Sequence, residues 1–282
     1  MPIIAALPIA PFGMEVRLAS VPRTDSAEAD QLRALYQQDG LLVVRGLRLS
    51  QAEQIEFCRI FGPVHESPFE NFLVSNVDKA GHLGMRELLW HNDVPFLPSP
   101  YLAGSLHALE VNPQAVGTRF VSGYRAYQRL PAALRERIAG MKALHVRERV
   151  YDRPTRLTDL QAGDICTVHD VVCTDPDNGR HYLFVNQAWT DSIIGLPEAE
   201  SRMLLAELYG QFYAEGEIYE HKWADGDLVL WNNLALQHAR GLAGEGVRTL
   251  QRVTITRLGY AQQYPTDVGI YDELHNDAML AQ

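Results

Sequence analysis

Two residues in "LLWHNDVPFLPSP" (88–100), His91 and Asp93, are of the types that hold a divalent metal ion. On a strand, positions i and i+2 point to the same face, so an imidazole and a carboxylate at this spacing converge on one point. Alone, a His-x-Asp pair is more often a turn or a solvated polar cluster. A third ligand changes that balance, because two imidazoles and one carboxylate on one face of an octahedron suit ferrous iron and leave positions open. "GDLVLWNNLALQHARG" (226–241) supplies the partner: His238 follows an apolar strand that ends at Trp231.

The same tripeptide recurs as His275-Asn276-Asp277 close to the C-terminus. No histidine follows it, and "YDELHNDAML" (271–280) reads as a short amphipathic tail helix, so the repeat is a coincidence of letters. His65, His82, His107, His145, His169, His181 and His221 read as loop, surface or hydrogen-bonded core residues. Beyond His238, Arg248 and Arg252 lie four apart on an apolar, β-branched strand and share a face. A buried arginine needs an anionic partner, and a bidentate carboxylate is its natural one.

Around these residues the periodicity predicts a helix over 26–38 and a buried strand over 41–46. Ser50 and Glu53 form a capping-box pattern that opens a helix ending by Gly62. A strand at 72–77 precedes a polar, Gly-containing loop, 78–87, that reads as a lid. Strand-like stretches follow near 102–111, 118–122, 141–147, 165–174, 181–186, 217–223, 227–231 and 252–258. Residues 123–139 read as helical, punctuated by Pro131, and a further helix runs from Pro197 to Phe212. The chain is therefore mainly β with helical decoration, a barrel or sandwich core. No linker divides it, which makes 1–282 one expected domain.

Composition bounds the partners. The 282 residues are 46% hydrophobic and carry 35 acidic against 25 basic side chains, a formal charge of −10. This speaks against general nucleic-acid or anionic-membrane binding. Three cysteines without a Cys-x-x-Cys form neither a disulfide framework nor a zinc site. The apolar N-terminus lacks a basic segment and is interrupted by prolines, so it reads as a strand or arm, and a cytoplasmic location is expected.

With "FCRIFGPV" (57–64), "WHNDVPF" (90–96), "GTRFVSGYRAYQRLP" (117–131), "TDPDNGRHYLFVNQAWTDSIIGL" (174–196) and "WADGDLVLWNNLALQHAR" (223–240) in this order, the chain resembles the TauD/TfdA family of iron(II)- and 2-oxoglutarate-dependent dioxygenases. The resemblance implies a double-stranded β-helix (a cupin-like jelly roll) with His91, Asp93 and His238 as the Fe(II) ligands. It implies that Thr118 and Arg248 hold the far carboxylate of 2-oxoglutarate, and that Arg252 holds an anionic group of a small-molecule substrate. The reaction implied is hydroxylation of a C–H bond with O2, yielding succinate and CO2. Desaturation, cyclisation or carbon–heteroatom cleavage at the same iron, or a non-catalytic ligand-binding barrel, are the alternatives. A carboxylate at 93, rather than Gly or Ala, speaks against halogenation. Homodimers and homotetramers are frequent in the family. Two positions depart from its pattern: Asn232 stands where Trp-Asp-Asn is common, and Asp175 where Thr-His-Pro is usual. The divergent 78–89 segment speaks against taurine as the substrate. Phe96, Tyr101, Phe184 and Trp189 are candidate pocket walls.

Overall fold

The computed structural model describes residues 3–65, 73–77, 82–83, 86–147, 149–150, 153–241, 245–259 and 262. The first half of the chain gives β1 (Ile3–Pro8), β2 (Met14–Leu18), α1 (Ala27–Asp39), β3 (Leu41–Val44), α2 (Gln51–Arg59), β4 (Leu73–Ser75), β5 (His82–Leu83), β6 (Leu88–His91), β7 (Ala103–Val111), β8 (Thr118–Ser122), α3 (Gly123–Arg129), α4 (Ala132–Ile138) and β9 (Lys142–Val146). The second half gives β10 (Cys166–Asp170), β11 (Val172–Thr174), β12 (His181–Leu183), β13 (Thr190–Ile193), α5 (Glu198–Phe212), β14 (Tyr219–His221), β15 (Leu228–Asn232), β16 (Leu236–Arg240) and β17 (Arg248–Ile255).

Eight strands form a large sheet in the order β1-β2-β3-β15-β7-β17-β4-β5, and four form a smaller sheet, β14-β8-β16-β6. Period-2 alternation decides how they stack. Leu41, Val43, Val229 and Trp231 point to one side of the large sheet and meet Phe120 and Leu236 of the small one. Leu42, Val44, Leu228 and Leu230 point to the other side and meet Ala29 and Leu32 of α1 and Phe57 and Cys58 of α2. The central strands are thus buried on both faces, which is why they read as unbroken apolar runs. Behind the small sheet, Trp90, Val121 and Ala239 pack with Ala126, Leu134, Leu204 and Leu208 from α3, α4 and α5. Two facing sheets with helices outside are the expected jelly-roll core. Two further sheets, β10-β9-β13 and β11-β12, complete the described strands.

The helix ends follow their sequence signals. Ser26 caps α1, and Gly40, in the left-handed region at φ 75°, donates its N–H to Tyr36 O. The Ser50–Glu53 capping box forms. Pro131 separates α3 from α4, and Pro197 precedes α5.

Four expectations need correction. The strand expected over 165–174 is two, β10 and β11, broken at the buried Val171 so that they pair in different sheets. The last strand begins at Arg248 rather than 252. His238 sits within a strand of its own, β16, that the sequence reading missed, as it missed β13. Strand β6 ends at His91, so Asp93 lies on the turn that follows. Most of the lid expected at 78–87 and all of His275–Asp277 lie outside the described residues.

Adjacent strands of the large sheet crowd at Gly104 on β7, the register partner of Trp231 on β15. A Cβ built there would stand 2.3 Å from the ring of Trp231, which is fully buried. Gly104→Ala is expected to destabilise the fold by about 1–3 kcal/mol through overpacking, seen as a lower denaturant midpoint with an unchanged slope.

Candidate metal centre

His91 and His238 face each other across adjacent antiparallel strands, as direct register partners of β6 and β16. Their rings lie 4.1 Å apart between centroids. Asp93 reaches the same point from the turn: its Oδ1 is 3.8 Å from Nε2 of each imidazole. Ligand atoms of all three residues fall within 4.8 Å of one another, and all three are buried.

A turn is a looser platform than a strand, and two asparagines tighten this one. Asn92 donates through Nδ2 to the carbonyls of Asn233 and Leu234, in the link between β15 and β16, and of Leu236, where β16 starts. In return Asn233 accepts from the Asp93 N–H and donates to the Asp93 and Tyr101 carbonyls. The next residue, Val94, is held at φ 48°. A β-branched residue in the left-handed region is strained by about 1–3 kcal/mol and persists only where its surroundings impose it; the Asn92–Asn233 brace is that surrounding.

The charges are arranged for a cation. Burial disfavours ionised Asp93, but the Arg252 guanidinium, His238 and His91 outweigh it and bring the carboxyl down to about 2. Arg252 Nη2 lies 2.5 Å from Asp93 Oδ2, which leaves Oδ1 turned toward the imidazoles. Burial also pushes both histidines below their usual value, the second aided by its neighbour His91, so both are neutral and able to ligate. His91 Nδ1 is 2.6 Å from the Leu89 carbonyl. A carbonyl only accepts, so the proton is on Nδ1 and the Nε2 lone pair faces Asp93. Two buried imidazoles, that of His91 with its tautomer fixed, and one carboxylate oxygen suit Fe(II).

A second polar pole lies on β8 and β17. Arg248 donates from Nη2 to Thr118 Oγ1 at 2.8 Å, and Trp223 Nε1 donates to the same oxygen at 3.1 Å. Arg248 is buried and pairs with no acid among the described residues; its Nε and Nη1 have no hydrogen-bond partner there. Burial, with Arg240 nearby, pushes its guanidinium down to about 9, still cationic at neutral pH.

Comparison with known proteins agrees with this geometry. Residues 5–254 match the family model of the taurine catabolism dioxygenase TauD, TfdA family. The chain belongs to the TauD/TfdA family. Among its relatives is the alpha-ketoglutarate-dependent 2,4-dichlorophenoxyacetate dioxygenase of Cupriavidus pinatubonensis, 32% identical over 76% of this chain and 83% of that protein. Pentalenolactone F synthase of Streptomyces avermitilis is 30% identical over 90% of this chain and 93% of its own length. Two solved structures share the fold: AAD-2 in complex with Mn(II) and N-oxalylglycine, and a taurine dioxygenase from Burkholderia xenovorans. The first has a TM-score of 0.75 at 23% identity and covers 91% of this chain and 98% of that one. The second has a TM-score of 0.74 at 24% identity and covers 91% of each. As a TauD/TfdA protein, this chain is a non-haem iron oxidoreductase that uses Fe(II) and 2-oxoglutarate, and its buried His-Asp-His cluster suits that metal.

The structure brings His91, Asp93, His238 and Arg252 to one point, and Thr118 and Arg248 to the neighbouring pole. Of the candidate wall aromatics, Trp189 stands 4.9 Å from the His91 ring and Phe96 packs behind it. Tyr101 contributes its carbonyl to the Asn233 brace. Phe184 belongs to the core beside His145 and His169. His107, His169 and His181 are hydrogen-bonded as expected. Asn92, Asn233 and Trp223 were missed; the only signal for the asparagines was amide residues flanking the ligand segments.

The two departures from the family pattern touch each other. Asn232 Nδ2 donates to Asp175 Oδ2 at 3.2 Å, within a cluster that includes the Tyr124 hydroxyl. An amide here meets a carboxylate, where the family pattern has Asp at the first position and His at the second. Asn232→Asp alone is expected to lower the melting temperature by setting a second carboxylate against the buried Asp175, and adding Asp175→His to restore it. Asn233→Ala should weaken Mn(II) binding roughly 10–100-fold, measured by calorimetry, because the ligand turn loses its brace.

Proposed function

We propose that this enzyme hydroxylates a C–H bond of a small carboxylate-bearing substrate. The balance is substrate, O2 and 2-oxoglutarate in, and alcohol, succinate and CO2 out. In this reading His91, Asp93 and His238 hold the iron, Thr118 and Arg248 hold the far carboxylate of 2-oxoglutarate, and Arg252 anchors the substrate's anionic group. Iron with 2-oxoglutarate supplies the oxidising power when bound, and the protein supplies position and exclusion.

The observation that carries the reading is Arg248. Among the described residues this buried cation's side chain bonds only to neutral Thr118, which is costly unless an anion completes it. A carboxylate arriving there receives two charge-assisted bonds in the plane of the guanidinium. Arg252 supports the second half. A guanidinium has five N–H donors, so a bond to Asp93 is compatible with a bond to a substrate carboxylate. Neutral His91 and His238 meet the metal without first losing protons.

Relatives named for 2,4-dichlorophenoxyacetate and for (S)-phenoxypropionate favour a second outcome. Hydroxylation of a carbon that bears an ether oxygen gives a hemiacetal-type product, which breaks into an alcohol and a carbonyl compound. Carbon–oxygen cleavage then needs no catalytic residue beyond the hydroxylating set. Both outcomes use the same anchor.

A panel of small carboxylates, aryloxyacetates included, assayed with Fe(II), ascorbate and 2-oxoglutarate for succinate and product mass, tests the reading. His238→Ala is expected to abolish turnover. Arg248→Ala should raise KM for 2-oxoglutarate about 10–100-fold, the worth of a charge-assisted pair. Arg252→Ala should raise KM for the carboxylate substrate and weaken the metal, with little change for 2-oxoglutarate. If both arginine variants affect 2-oxoglutarate alone, the anchor assignment is wrong.

A further inference from the structure

We propose that Trp223 is a positioning residue for the cosubstrate: its indole N–H makes the Thr118 hydroxyl an obligate donor toward the cosubstrate's distal carboxylate. The proposal rests on the placement of 2-oxoglutarate given above.

A threonine hydroxyl has one proton and two lone pairs, and by itself it rotates to suit whatever approaches. Thr118 has lost that freedom. Trp223 Nε1 donates to its Oγ1 at 3.1 Å and Arg248 Nη2 donates to it at 2.8 Å. Both lone pairs are thereby occupied. The hydroxyl proton has one remaining direction, away from both donors, where it can only give a bond. A carboxylate oxygen accepts it; an ammonium or a hydroxyl that offers its own proton is turned away.

The indole is itself held in place. Its ring lies beneath the Arg248 guanidinium, 5.7 Å from centroid to Cζ. The His221 ring meets it edge-on at 4.5 Å and 85°. His221 in turn sits between the Tyr219 hydroxyl, 3.1 Å from Nδ1, and Asp227 Oδ2, 3.3 Å from Nε2. Asp227 also accepts from Arg45 at 2.7 Å and from the backbone N–H of Ala224, the residue after Trp223, at 3.0 Å. Register sets the reach, because His221 is the β-ladder partner of Thr118 and Trp223 lies just beyond it. One side chain therefore touches both groups assigned to the cosubstrate carboxylate, through its N–H and through its ring. Trp223 is 6% exposed, so little water competes for either contact.

The test is a double-mutant cycle on binding, without turnover. Mn(II)-loaded wild-type protein, Trp223→Phe, Thr118→Val and the double variant are titrated with 2-oxoglutarate by calorimetry. Trp223→Phe keeps a ring and removes the N–H. It is expected to weaken 2-oxoglutarate about 3–10-fold, the worth of one neutral hydrogen bond, while the Mn(II) affinity holds. In the Thr118→Val background it should cause no further loss. Wild-type affinity in Trp223→Phe, or an equal loss in both backgrounds, overturns the proposal. Absence of any 2-oxoglutarate binding to the Mn(II)-loaded wild type would instead overturn the cosubstrate placement beneath it. Should Trp223→Phe melt below the working temperature, benzothienylalanine at 223, which replaces the N–H by sulfur, enters the same cycle.

Discussion

Two imidazoles stand opposite each other across the β6–β16 ladder, and the rest of the molecule is arranged to keep them there. A slip of one residue in that ladder would turn His238 to the outer face of the small sheet, among the helices. The register is pinned from both ends of the ladder. Asn92 bridges the start of β16, and Arg240 Nη2 reaches the Arg86 carbonyl beyond the start of β6. Behind His238, the rings of Trp231 and Phe120 belong to the packed layer between the sheets. The placement of the two imidazoles and the core packing are thus set by the same contacts.

The second organising fact is charge. The chain as a whole is acidic, at −10, yet Arg240, Arg248 and Arg252 are buried or nearly so along two strands that line its interior. Against them the metal cluster offers a single carboxylate, Asp93. Buried guanidinium groups of this kind favour a small anion in the interior. The cosubstrate is a small dianion, and the relatives named for aryloxy acids act on carboxylates.

Much of this could be read from the chain. Strands β3 and β15 and helices α1, α2 and α5 follow apolar periodicity and capping residues, because their neighbours are ordinary core. The reading failed where a buried surface is polar by purpose. Gln237, His238 and Arg240 make β16 look like a loop, although all five of its residues are buried. The β10–β11 break escaped notice because its apolar run continues through Val171 while the hydrogen bonding changes partner. The Asn92–Asn233 brace joins residues 141 positions apart, and no local pattern announces such a closure. The ligand types were legible from spacing and chemistry, but the platform under Asp93 was taken for a strand and is a turn. No helix among the described residues is long and apolar enough to cross a membrane.

That turn divides the three proposed ligands into unequal kinds. The two histidines are woven into the sheet, and moving either would break a ladder. Asp93 hangs from side-chain hydrogen bonds that reach its backbone and the neighbouring carbonyls, and those bonds do not depend on the residue's own side chain. Position 93 can therefore change chemically while the backbone keeps its path. A shortened side chain there would open a coordination place on an otherwise intact scaffold, with Arg252 left facing the gap. For anyone seeking to graft a different ligand or an exogenous anion onto this iron site, the carboxylate corner is the exchangeable part, and the histidine pair is the frame.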